Sequence, residues 1–112
     1  MNKYLVLYKS TASSQEQMAN ATPEQMKEGM AAWKAWATKA AGSLVEMGSP
    51  LGSSLRVANN GSISDGSKEL SGYSIMQAKS GSDLVKHLED HPHFMAPGAT
   101  IEIHEMMAMP GA

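Results

Sequence analysis

Three histidines, His87, His91 and His93, fall within seven consecutive residues. His87 and His91 are four apart, the spacing that lets two imidazoles on one helix face share a metal ion, with His93 approaching from beyond the helix. The chain has no cysteine and no His-Glu-x-x-His pattern, and histidine is also favoured at helix ends, where it bonds the last carbonyls and complements the dipole. No metal and no cofactor are therefore expected, and His91 is retained as a ligand-binding candidate. His93 is the candidate general acid or base, because imidazole exchanges protons near neutrality and this one follows Pro92 in a loop leading to the last strand. An anchoring role, with His93 fixing that loop by bonding a backbone carbonyl, stands beside the catalytic one.

Carboxylates supply the other half of an acid–base pair. In Thr100-Ile101-Glu102-Ile103-His104-Glu105-Met106, alternation puts Ile101 and Ile103 on one strand face and Glu102 and His104 on the other. Burying Glu102 and His104 is costly unless they pair or line a wet cavity, which makes Glu102 a catalytic partner and His104 a ligand-binding candidate; on an edge strand facing solvent both would be ordinary. Asp65 can orient a histidine, although Asp65-Gly66 is first of all a turn pair. Tyr73, on a predicted strand, completes the ligand-binding set. Trp33 and Trp36 are spaced for core and interface rather than for a stacking platform, and the ten methionines suit adaptable packing at a partner surface better than copper binding. No nucleophile motif or phosphate loop is present.

These residues need elements to hold them. Lys3-Tyr4-Leu5-Val6-Leu7-Tyr8 reads as a first strand, apolar on both faces. Ser10 to Asn20 is polar and without alternation, so a loop is expected there, with at most a loose helical turn. Thr22-Pro23-Glu24-Gln25 has the form of a capping box with proline at the first helical position, and Met26, Met30, Trp33, Ala37 and Ala40 then form one stripe that places Trp36 beside the main axis. Leu44 to Met47 begins a strand that Gly48-Ser49-Pro50-Leu51-Gly52 should break as an irregular loop. Leu55 and Val57 lead into a hairpin with turn signals at Asn59-Asn60-Gly61 and at Asp65-Gly66. Gly72 to Ala78 is the third long strand. Ser80 or Ser82 caps a second helix carrying Leu84, Val85 and Leu88, which Pro92 ends, and a Pro97-Gly98 turn leads to the last strand. The order β-α-β-β-α-β defines an α+β, ferredoxin-like domain over residues 1–112, with a four-stranded antiparallel sheet and both helices on one face. The two-sided apolar first strand then calls for a cover on the second sheet face, which a second copy of the chain would supply.

With these elements placed, the chain resembles the YCII-related (DGPF-type) family. The residues that carry the resemblance are Lys3 to Tyr8, Met30 to Trp36, Gly48 to Gly52, Gly72-Tyr73-Ser74-Ile75, and His91-Pro92-His93 leading into Pro97-Gly98 and Ile101-Glu102-Ile103. At the motif that names the family, Asp65-Gly66 is present, but Ser67-Lys68 stands where Pro-Phe would follow. The resemblance implies a ferredoxin-like fold paired into a dimeric α/β barrel, and in some relatives small enzymes that use a His-Asp pair.

Composition narrows the function further. Nine basic and eleven acidic residues leave a formal charge of -2, which gives no electrostatic footprint for nucleic acid or for an anionic membrane. No apolar run approaches the roughly 18 residues that span a bilayer, so a cytoplasmic protein is expected. Two functions remain: a small enzyme acting by His-carboxylate acid-base chemistry on a small organic molecule in a dimer cleft, or a non-catalytic dimer that binds a small ligand or another protein.

Overall fold

The computed structural model describes residues 1–111, apart from the side chains of residues 14 and 15. Strand β1 (Asn2–Lys9) buries Tyr4, Val6 and Tyr8 on one face and leaves Leu5 and Leu7 half-buried on the other. Helix α1 (Ser14–Asn20) follows where a loop was expected. The Ser13 side chain caps it by accepting from the Glu16 amide at 3.1 Å, and Gln17 Nε2 ties it back to Ser10 Oγ and the Ala12 carbonyl. Local capping thus makes a short polar segment helical without an apolar stripe.

Helix α2 (Pro23–Lys39) starts on the expected capping box: the Gln25 amide donates to Thr22 Oγ1 at 3.1 Å and the Thr22 amide to Gln25 Oε1 at 2.9 Å. Its buried stripe differs from the expected one. Trp36 and Ala40 are buried and Trp33 and Ala37 pack against them, whereas Met26 and Met30 are exposed. The methionines of the first turns of α2 stay exposed, so Trp36 defines the inward face. Strand β2 (Leu44–Pro50) takes in Gly48, Ser49 and Pro50 of the segment expected to be an irregular loop and leaves Leu51 and Gly52 outside it. It does so with register shifts against its partner and with Gly48 at φ +77°, so the irregularity is absorbed within the strand as a bulge.

Strands β3 (Leu55–Val57) and β4 (Ile63–Asp65) form the hairpin, with Gly61 at φ +86° in its tip. Asp65-Gly66 does not turn the chain: Asp65 is the last residue of β4, and the Gly66 amide extends the pairing to the Ser54 carbonyl at 3.0 Å. Strand β5 (Leu70–Ala78) and helix α3 (Gly81–Leu88) follow, with Ser80 capping α3 through the Asp83 amide. Helix α3 stops at Leu88, and Pro92 instead opens a short 3-10 turn over Pro92–Met95 before strand β6 (Thr100–Glu105).

The main sheet has the order β2-β5-β1-β6, antiparallel throughout, and β3-β4 pair apart from it. This α+β, ferredoxin-like arrangement puts α2 and α3 on one face, where Trp36, Ala40, Leu84 and Leu88 close over Tyr4, Val6, Tyr8, Met76 and Ala78. The core carries a polar chain: Ser74 Oγ donates to the Met47 carbonyl at 2.6 Å, which leaves it to accept from Tyr8 Oη at 2.8 Å. Burial pushes the Tyr8 phenol up to about 12. Among the described residues no helix is long and apolar enough to cross a membrane.

Candidate functional site

The sheet face away from the helices is open. Antiparallel register lays it out in rows: Leu7 lies between Tyr73 on β5 and Glu102 on β6, and Leu5 between Ile75 and His104. Residues directly opposite share a face, so an apolar floor of Leu5, Leu7 and Ile75 is flanked by polar side chains about 10 Å apart, two strand spacings.

On the β6 side, Glu102 is the hub. Two residues apart on one strand, Glu102 and His104 point the same way, and His104 Nε2 contacts Glu102 Oε1. Lys9, at the end of β1, reaches Glu102 Oε2 at 3.2 Å. The hydrogen bond from His104, and next the hydrogen bond and charge of Lys9, hold the Glu102 carboxyl below the usual carboxylate range. On the β5 side, Tyr73 Oη donates to Glu46 Oε1 at 2.8 Å, and that hydrogen bond, reinforced by the glutamate charge, raises the phenol above its ordinary value. Nε2 of His104 is engaged by a carboxylate, and among the described residues no hydrogen bond occupies Nδ1, an arrangement suited to moving a proton.

His91 and His93 are elsewhere. Both are buried on the helix-covered side, in and just before the 3-10 turn. His93 Nε2 faces the Lys9 carbonyl at 2.8 Å and the Thr100 carbonyl at 3.1 Å, so it carries a hydrogen and ties the turn to β1 and β6. Among the described residues its ring bonds no carboxylate. His91 Nδ1 accepts from the His93 amide at 2.9 Å, and its ring is enclosed by Tyr8, Trp33 and Trp36. Burial, then the neighbouring His93, pushes the His91 imidazole down to about 4. The helical spacing proposed for His87 and His91 is absent, because His91 lies beyond the end of α3; His87 Nε2 instead approaches Ser43 Oγ at 3.3 Å. Among the described residues no group of three His, Asp or Glu side chains could hold a metal ion.

Asp65 lies on the separate hairpin, and among the described residues no hydrogen bond joins it to a histidine. It borders a shallow groove of about 340 Å³ with Ser13, Glu16, Ser54 and Lys68. Of the six residues singled out from sequence, the fold thus brings Glu102, His104 and Tyr73 onto one face, His91 and His93 into one buried turn, and leaves Asp65 by itself. Sequence reasoning missed Lys9 and Glu46. Lys9 was within reach of it, since alternation from Leu5 and Leu7 places Lys9 on their face, but the bulged register of β2 hides Glu46.

The fold defines an α+β sheet protein with one uncovered, mixed polar and apolar face. No protein-family profile matches the chain, and no curated protein matches it. Among solved structures it is similar to 5-chloro-2-hydroxyhydroquinone dehydrochlorinase from Burkholderia phenoliruptrix in complex with 2,5-dihydroxybenzoquinone, at 18% identity and a TM-score of 0.47 over 89% of this chain and 90% of that one.

Proposed function

We propose that the protein is a homodimer that binds a small organic molecule over its open sheet face and acts on it by proton transfer through the His104–Glu102 pair. The observation that carries this reading is the pair itself: an imidazole held by a carboxylate, with Lys9 beside it, set at the rim of an apolar floor. In this reading Glu102 orients His104, His104 exchanges the proton, and Tyr73 with Glu46 positions the far end of the ligand. His91 and His93 support the site by fixing the turn that leads into β6. The same face would serve a non-catalytic binder, and only turnover separates the two.

The test is a screen of small organic fragments followed by amide and imidazole resonance shifts. Fragments that bind should move the signals of Glu102, His104 and Tyr73. Glu102→Gln and His104→Asn, both exposed positions, should keep the fold and weaken binding or abolish any turnover by tenfold or more, about the effect of losing one charge-assisted hydrogen bond. Binding that leaves the His104 and Glu102 resonances unmoved would place the site elsewhere.

A further inference from the structure

We infer that the β3–β4 hairpin is an arm that clasps a second copy of this chain, its apolar face closing the dimer proposed above, on which this inference rests. The hairpin pairs only with itself, and its register sets Val57 opposite Ile63 and Leu55 opposite Asp65. Opposed residues share a face, so Leu55, Val57 and Ile63 lie together with Asp65 at the end of the row, while Arg56 and Ser64 occupy the reverse side. Those three aliphatic side chains are 71%, 68% and 66% exposed. A hairpin with three-residue strands is marginal in water by itself, and aliphatic residues on its free face make it worse unless that face is covered.

The occupant follows from area and position. The molecule is a slab only 20 Å through its shortest dimension, one helix layer on one sheet, which leaves the whole second face to be covered. Four strands about 4.8 Å apart, 8, 7, 9 and 6 residues long, present about 500 Å² per protomer. Two such faces bury about 1,000 Å², short of the about 1,200–2,000 Å² of a stable specific interface. Three side chains of about 100 Å² each, two-thirds exposed, together with the surface they would cover, add about 400 Å² per arm. Two arms bring the total to about 1,800 Å², inside the stable range. The arm also leaves the sheet between the end of β2 and the start of β5, so it adjoins one end of that sheet. A second copy presenting the same face and the same arm satisfies both surfaces at once, as an isologous contact requires.

The experiment compares the full chain with a Leu55→Ser, Val57→Ser, Ile63→Ser variant by sedimentation over nanomolar to micromolar concentrations. Wild type should be dimeric, and the variant should dissociate with a constant at least about a hundredfold larger, its circular dichroism unchanged. Hydrogen exchange on wild type gives a second readout that needs no variant: amides of residues 55–57 and 63–65 should be slowed in the dimer and released on dilution. A dimer that the substitutions leave equally tight, or arm amides indifferent to dilution, overturns the arm and spares the dimer. A wild-type monomer at every concentration overturns both, and a wild-type tetramer that the variant reduces to tight dimers overturns the arm as a clasp within the dimer.

Discussion

His91 is the side chain whose surroundings make the sharpest demand. Its ring centroid lies 4.8, 4.5 and 4.2 Å from those of Tyr8, Trp33 and Trp36, and among the described residues its Nε2 has no hydrogen-bond partner. A charged imidazole there would lose its hydration and face the neighbouring His93, and the smaller pull of the Asp90 charge does not offset the two, so the folded protein holds it neutral down to about pH 4, against an ordinary value of 6.5. As pH falls below 6.5 the unfolded chain takes up a proton that the folded chain refuses, so stability falls with pH until the folded imidazole titrates near 4. The stability from this group is fully present above pH 6.5, and its loss across the window is on the order of 3 kcal/mol. Urea denaturation at pH 7, 6, 5 and 4 should show that decline, and His91→Gln, which carries no proton in this range, should flatten it. An equal slope in both proteins would mean that the enclosed imidazole is not its source. Both buried histidines were visible as candidates in the sequence, but their surroundings were not. His93 bonds the carbonyl of a residue 84 positions away, and no local pattern says whether a distant partner will be a carbonyl or a carboxylate.

Strand β2 shows at the scale of an element how a local signal can be read correctly and still give the wrong structure. Gly48 and Pro50 do mark an irregularity, but tertiary pairing overrides the break and turns it into a bulge on an edge strand, where proline is tolerated. The bulge also sets the register that brings Glu46 within 2.8 Å of Tyr73 Oη. Gly48 permits it for two reasons: its φ is +77°, and a Cβ there would stand 1.8 Å from the Tyr73 carbonyl oxygen. Gly48→Ala must therefore push β2 off β5, with an expected loss of more than about 3 kcal/mol in chemical denaturation; a loss under about 1 kcal/mol would mean that the two strands separate easily. Where local and tertiary preferences agree, the elements were readable: the run of strand formers in β1, the alternation of β6 and the capping box of α2 all form as their residues dictate. Helix α1 was not readable, because it is short and polar and rests on capping, and the inward stripe of α2 is displaced to Trp36 and Ala40, with Met26 and Met30 left exposed.

For the whole molecule the unresolved demand is the open sheet face. The helices close over Tyr4, Val6 and Tyr8, so the apolar residues left on the far side are Leu5, Leu7 and Ile75, in a central block across β1 and β5. The two-sided apolar character of β1 was legible in sequence, but which side the helices take depends on packing between tyrosine rings and Trp33, set here at 5.1 Å between the Tyr8 and Trp33 centroids. Leu5 sits at the middle of the block, between Ile75 and His104, so it tests sheet-to-sheet pairing most directly. In a single chain Leu5 is already half-buried against its neighbours and half-open, and Leu5→Glu can turn its carboxylate to water, so the monomer should lose no more than about 1 kcal/mol. In a face-to-face dimer two copies of that carboxylate would be stripped of water without a partner, a penalty of several kcal/mol for each. Leu5→Glu should therefore run as one chain, 11.9 kDa, in light scattering at micromolar concentration, with native circular dichroism and a melting temperature that no longer rises with protein concentration. If the variant keeps twice that mass, the open faces are not the surfaces that meet, and the site around Glu102 and His104 would have to work in a single copy facing solvent.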